Sequence, residues 1–301
     1  MNMKKFVLFA LLLSIFSNAQ TEKYKTADYA LPENVKSYHT FTYLYDVPSG
    51  KFKTVEKKLL FFENGMLKTD FLMDNYLGIY ANLKTYEYND QKQLIAIKEA
   101  SDYQNPKYYL SKEFFYTQNQ LTKVITHGGS KKIIKEMTYD KSGKIIQSKT
   151  FDEDNVVMEE VKYNYTTPTD YTVVSKIFSN GKEISIIEDK YVKYLMMSKK
   201  INDSLGNILY QYEYDSKGNR ILLDDGLDEY HTNYIYGKTG AILKSRATEY
   251  DEFDDSLSNF FKFSEITFTD GTKEGSKNFD TTYVKSFNVS VLSYDVVDDL
   301  K

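Results

Sequence analysis

One stretch, YEYDSKGNRILL (Tyr212–Leu223), recurs along the chain and constrains its fold more than any other feature. Clear copies occupy residues 86–97 (YEYNDQKQLIAI), 114–125 (FFYTQNQLTKVI), 137–148 (MTYDKSGKIIQS), 212–223 and 234–245 (YIYGKTGAILKS). Weaker copies begin at Leu60, Lys176 and Ile266. Aligned on the second aromatic, the copies place Phe62, Tyr88, Tyr116, Tyr139, Tyr165, Tyr214, Tyr236 and Phe268 at one position. Their spacing clusters in the low to middle twenties, a period that marks one supersecondary unit per repeat.

Each unit reads as strand, tight turn, strand. Residues i and i+2 of a strand share a face, so Tyr212 lies beside Tyr214 and Tyr234 beside Tyr236. The DSKG that follows is turn chemistry. Asp caps the turn amides, and Gly218 takes positive φ in a type I turn closed by a bulge. Gly65, Gly143 and Gly240 fall in equivalent places. Ile221, Leu222 and Leu223 form the return strand. The 28 Tyr and 19 Phe, against 4 Pro and no Trp, suit pleated, half-buried surfaces. After the first twenty residues no long stretch keeps apolar residues at helical spacing. Breaks are expected around Pro106, Pro168, Gly226 and the acidic run from Asp251.

The expected fold is therefore all-β: an antiparallel meander of repeated β-hairpins. So many strands cannot stay in one flat sheet, because open sheets beyond about ten strands curl, split or flatten. A large twisted, curved sheet or partial shell is expected, with exposed edges protected by Lys-rich strands such as KFKTVEKK (Lys51–Lys58). The pattern Y-x-Y-D-x-x-G-N-R followed by aliphatics resembles the YD-repeat units of the Rhs family. In that family such repeats build long ribbons of antiparallel hairpins, some curled into a hollow shell around a toxin. The resemblance implies a short, secreted member without a toxin domain, and it carries over no catalytic residues.

The N-terminus sets the expected destination. MNMKK is basic, FVLFALLLSIF is apolar but too short to span a bilayer, and Ser17 and Ala19 flank Asn18 at small-x-small spacing. A signal peptide over 1–19 is expected, with a single repeat domain over 20–301. The product would be secreted or periplasmic, without a transmembrane anchor or a cysteine for lipid attachment. Loss of Lys4 and Lys5 leaves 37 bases against 43 acids. That acidic balance, with scattered Lys pairs, offers no footprint for nucleic acid. Without Cys there is no disulfide, thiolate nucleophile or Cys-based zinc site.

Candidate chemistry is sparse. His39, His127 and His231 share no metal-binding spacing. Asp224, Asp225 and Asp228 could supply oxygens to a cation, although the loop lacks the D-x-[DN]-x-[DN]-G pattern. No G-x-S-x-G or phosphate-binding loop is present, and no cofactor is expected. Tyr212, Tyr214, Tyr234 and Tyr236 are the candidate ligand-binding residues, because amphipathic rings in a row can stack on a sugar or a peptide. The same rows can serve as cross-strand ladders that stabilise the sheet. The expected function is a non-enzymatic secreted or envelope-associated protein whose partner is an envelope protein or a polysaccharide. The alternative is a secreted hydrolase using the acidic loops.

Overall fold

The computed structural model describes residues 23–46, 51–74, 80–102, 104–128, 131–204, 206–224, 229–251 and 256–287. They form nineteen strands: β1 (Val35–Asp46), β2 (Lys51–Phe61), β3 (Leu67–Asp74), β4 (Tyr80–Tyr88), β5 (Leu94–Ala100), β6 (Tyr109–Thr117), β7 (Gln120–Gly128), β8 (Lys131–Tyr139), β9 (Ile145–Phe151), β10 (Val157–Tyr165), β11 (Tyr171–Ser179), β12 (Lys182–Val192), β13 (Leu195–Asp203), β14 (Gly206–Tyr214), β15 (Arg220–Asp224), β16 (Glu229–Tyr236), β17 (Ile242–Asp251), β18 (Ser256–Phe268) and β19 (Lys273–Gly275). One short helix follows, α1 (Thr281–Lys285). The described residues divide into two compact units. The first contains Asn89–Ala96 and Leu110–Gln211, and the second contains Tyr24–Tyr88, Ile97–Tyr109 and the described part of Tyr212–Lys301.

In the first unit β6 to β14 form an antiparallel meander, each strand paired with the next. Because side chains alternate along a strand, the register sorts them into two faces. One face carries Lys123, Glu136, Lys149, Glu160 and Lys176 in a single cross-strand row of alternating sign. Lys149 and Glu160 make an ion pair of 3.4 Å. The other face buries Met137, Ser148, Val161 and Val173, and it too holds an ion pair, Asp189 to Lys199 at 3.9 Å.

In the second unit β1 pairs with β2, β2 with β3 and β3 with β4. β15, β16, β17 and β18 pair in sequence, and β18 returns to pair with β1 from Val35–Phe268 to Leu44–Phe260. The last long strand thus closes onto the first. This corrects the expected partial shell with open edges. It also corrects the placement of KFKTVEKK, which lies in β2, paired on both sides by β1 and β3. One of its lysines, Lys57, instead pairs with Asp70 of β3 at 3.3 Å.

The core of the second unit is aromatic. Phe261 and Phe263 of β18 are fully buried and pack on Tyr283 and Val284 of α1. Tyr43, Phe52, Phe279 and Phe287 surround them. Asp280 caps α1, accepting the Tyr283 amide N–H at 2.9 Å and pairing with Lys244 Nζ at 2.5 Å. Those two donors hold its carboxyl below the usual range, Lys244 contributing most. This cap orders five residues whose sequence carries no helical periodicity.

Four of the turns share one geometry. At Asp140–Lys144 the Asp140 N–H donates to the Lys144 carbonyl (2.8 Å) and the Gly143 N–H to the Asp140 carbonyl (3.1 Å). Asp140 Oδ1 accepts the amides of Ser142 and Lys144. The residues 89–93, 152–156 and 215–219 repeat this arrangement. At 237–241 the backbone bonds are kept but Gly237 replaces the acid. Glu274, on β19, supplies the missing carboxylate. It accepts the Lys238 amide and, at 2.6 Å, the Thr239 hydroxyl. A Cβ on Gly237 would collide with that carboxylate, so the two devices exclude one another. Glu274→Ala is expected to lower stability by about 1 kcal/mol, and Gly237→Asp in that background to restore it. Urea denaturation of both variants checks this; an unchanged midpoint in Glu274→Ala would show that the borrowed carboxylate contributes nothing.

Candidate functional site

The repeat tyrosines join successive units. Tyr88 donates its hydroxyl to the Leu67 carbonyl (2.8 Å), Tyr116 to that of Leu94 (3.0 Å) and Tyr139 to that of Leu121 (2.6 Å). Each acceptor opens the return strand of the preceding hairpin. The register slips by one residue beside Leu67 and Leu121, as at a β-bulge, where ladder bonding is locally disrupted. The second aromatic of one unit thus ties it to the unit before. Tyr236 varies the theme by donating to the Asp215 carboxylate and accepting from Asn219 Nδ2 (2.8 Å). Lys217 Nζ sits 3.6 Å from its ring centroid. Burial and the Asp215 charge push Tyr236 up to about 12. Burial also pushes Asp215 upward, but the Tyr236 hydroxyl and the amides of Asn219 and Lys217 outweigh it and hold its carboxyl below the ordinary value. Tyr234 donates to the Arg220 carbonyl (2.7 Å). Tyr212 and Tyr214 lie half-buried on β14. Of the four tyrosines expected to bind a ligand, Tyr234 and Tyr236 stand side by side, ring centroids 6.0 Å apart, with their hydroxyls engaged by the preceding turn.

A second aromatic row lies in the first unit. Tyr165, Tyr171 and Tyr191 face one another across β10, β11 and β12. Tyr165 and Tyr171 have centroids 5.2 Å apart, and Tyr171 and Tyr191 stack at 4.6 Å with 8° between planes. Lys144 Nζ lies 4.7 Å from the Tyr165 centroid. All three rings are half-buried, leaving part of each accessible. The loop after Tyr165 is braced: Asp170 Oδ1 accepts the Lys193 amide (2.8 Å), and Tyr194 N–H donates to the Thr169 carbonyl (3.0 Å). The Lys193 bond keeps Asp170 ionised to lower pH than usual. Burial and neighbouring phenols push Tyr165 and Tyr171 up to about 12. The row is a fixed, uncharged stacking surface with a cation at its edge. Sequence reading passed over Tyr171 and Tyr191 because neither has an aromatic at i±2; only the strand register makes them neighbours.

Asp224 ends β15 opposite Glu229, while Asp225 and Asp228 lie outside the described residues, as does most of the acidic run from Asp251. Among the described residues no three His, Cys, Asp or Glu stand close enough to share a metal ion. His231 is exposed on β16. His127 bonds Glu113 at 2.8 Å. His39 is buried against Glu56 (2.6 Å) with Lys277 Nζ 3.3 Å from its other nitrogen. Burial holds its pKa down, Glu56 opposes that and Lys277 adds to it. Among the described residues no helix is long and apolar enough to cross a membrane.

No family model matches the sequence, and no curated protein matches it. Among solved structures the chain is similar to a porin-like protein from Bacteroides uniformis, with 10% identity over 78% of this chain and 98% of that one, at a TM-score of 0.44. It is also similar to a chain of a TcdB2-TccC3-Cdc42 complex, with 11% identity over 73% of this chain and 15% of that one, at a TM-score of 0.37.

Proposed function

We propose that this chain is a secreted or envelope-associated repeat protein of YD-repeat type, which binds an envelope protein or polysaccharide and performs no chemistry of its own. The Tyr165–Tyr171–Tyr191 row carries this reading. Three rings held in register by the sheet and partly accessible make a stacking surface with little ordering left to do on binding. A water-facing setting is supported by the charge on both faces of the first unit. A bilayer-spanning barrel needs an apolar outward band, whereas one face here carries the Lys123 to Lys176 row and the other the Asp189–Lys199 pair.

The test is retention of envelope fractions, proteins and polysaccharides applied separately, on immobilised chain starting at Gln20. Tyr171→Leu keeps an apolar side chain on the strand and removes the central ring. It is expected to weaken retention about tenfold. Equal retention by a Tyr171→Leu protein of unchanged melting temperature would overturn the reading.

A further inference from the structure

The first unit carries a second feature, away from the tyrosine row. Between the 89–93 turn and the 118–119 turn of the first unit lies an open groove of about 500 Å³. Five of its nine lining residues are amides, Asn89, Gln91, Gln93, Gln118 and Asn119, and none is charged. In a chain where charged residues make up 27%, an uncharged lining of this size is a selective feature. Phe115 completes the wall and is 42% exposed. It shares a face with Lys123, whereas the tyrosine row shares its face with Val161 and Val173.

The amides are arranged, not scattered. Asn89 Oδ1 accepts the amide N–H groups of Gln91 and Gln93, and Asn89 Nδ2 donates to Gln93 Oε1 at 2.8 Å. Gln93 Nε2 donates in turn to Asn119 Oδ1 across 3.5 Å, joining the two hairpins. Gln91 and Gln118 are exposed, and their side-chain amides have no partner among the described residues. Gln118 and Asn119 both hold positive φ, 50° and 65°. That conformation favours glycine, and the two-residue turn at Asn180–Gly181 has glycine in one of the two places.

We infer that this groove binds an uncharged saccharide segment. A sugar hydroxyl both donates and accepts, and a carboxamide presents a donor and an acceptor side by side to meet it. A pyranose also has an apolar C–H face that an exposed ring such as Phe115 can cover. The lining itself offers hydrogen-bonding amides and rings and no charge. The volume falls within the range of small-ligand sites, roughly 300–1,000 Å³. The inference rests on the reading of the chain as a binding protein, but on different residues.

The test uses the full mature chain and neutral hexasaccharides of glucose, xylose and mannose, with polygalacturonate as the charged control, followed by calorimetry. The double variant Gln118→Gly, Asn119→Gly removes two amides where glycine fits the backbone, so its melting temperature is expected to stay at or above that of the parent. Binding of one neutral hexasaccharide should weaken about tenfold or more in that variant and be unchanged in Tyr171→Leu. Loss in Tyr171→Leu with retention in the double variant would overturn the groove and favour the tyrosine row. Binding of none of the neutral sugars at millimolar concentration would overturn the groove and leave the envelope-retention test of the row standing. Preference for polygalacturonate would also overturn it.

Discussion

Phe263→Ala is expected to cost about 3–5 kcal/mol of stability, a large loss for one side chain of the second unit. Phe263 is fully buried. Its ring meets Tyr43 at 5.8 Å, Phe279 at 5.6 Å and Tyr283 at 6.0 Å between centroids. Truncation would leave a cavity ringed by aromatics from β1 and from the segment leading into α1. Those rings sit on a strand and a capped helix and cannot collapse into it without moving both. The same change loosens Ser276–Phe287, which is held to the sheet chiefly by these contacts and by Lys244–Asp280. Urea denaturation measures the loss, and limited proteolysis should cut between Ser276 and Phe287 before any other site. A loss below about 1 kcal/mol would mean that this cluster is not the core of the unit.

Alkaline pH should unfold the protein between the ordinary titration of tyrosine and about pH 12. Tyr24, Tyr139, Tyr165, Tyr171 and Tyr236 are all pushed up to about 12, with burial the first cause in each. In the unfolded chain each titrates near 10. The fold therefore favours the neutral phenol. Its contribution is complete below pH 10 and is lost as pH rises through the folded value. Phenolate absorbance and loss of the strand circular-dichroism signal should rise together in that window. Phenolate formation complete near pH 10 with the strand signal intact would contradict the burial of these rings. Acid acts on different groups. Asp140, Asp170, Asp215, Asp270 and Asp280 are held low by the amides and side chains they bond, so their contribution is present above about pH 4 and fades below it.

Much of this architecture was legible locally. The Asp140-to-Gly143 turn marked the hairpin at 137–148 and the Tyr234–Tyr236 pair marked that at 234–245, because each signal is read within a dozen residues. What failed was non-local. KFKTVEKK looked like an edge because lysine protects edges, yet Lys57 pairs diagonally with Asp70 on β3 and the strand lies inside the ladder. The pairing of β18 with β1 leaves no trace in either segment's own pattern. Tyr171 and Tyr191 are ordinary strand residues until the register stacks them. The five residues of α1 owe their helix to the Asp280 cap and to packing, neither of which periodicity detects. The amide groove was missed for another reason: Gln and Asn in turns are common, and only their convergence across two hairpins sets these apart.

The return of β18 to β1 also fixes the order of events when the chain first folds. The tyrosine bonds between units span 21, 22 and 18 residues, short loops that close cheaply and early. Tyr38 and Ser264, bonded across β1 and β18 at 3.1 Å, are 226 residues apart. Contacts of that range form slowly, because the ordering of the intervening chain precedes any gain from them. Hairpins can therefore accumulate one after another as the chain emerges, while β1 keeps one side unpaired until the last long strand arrives. During that interval β1 is an open template for any extended segment. A chain halted before Ser256 would carry that exposed strand indefinitely, which makes completion of synthesis the step that protects it from aggregation.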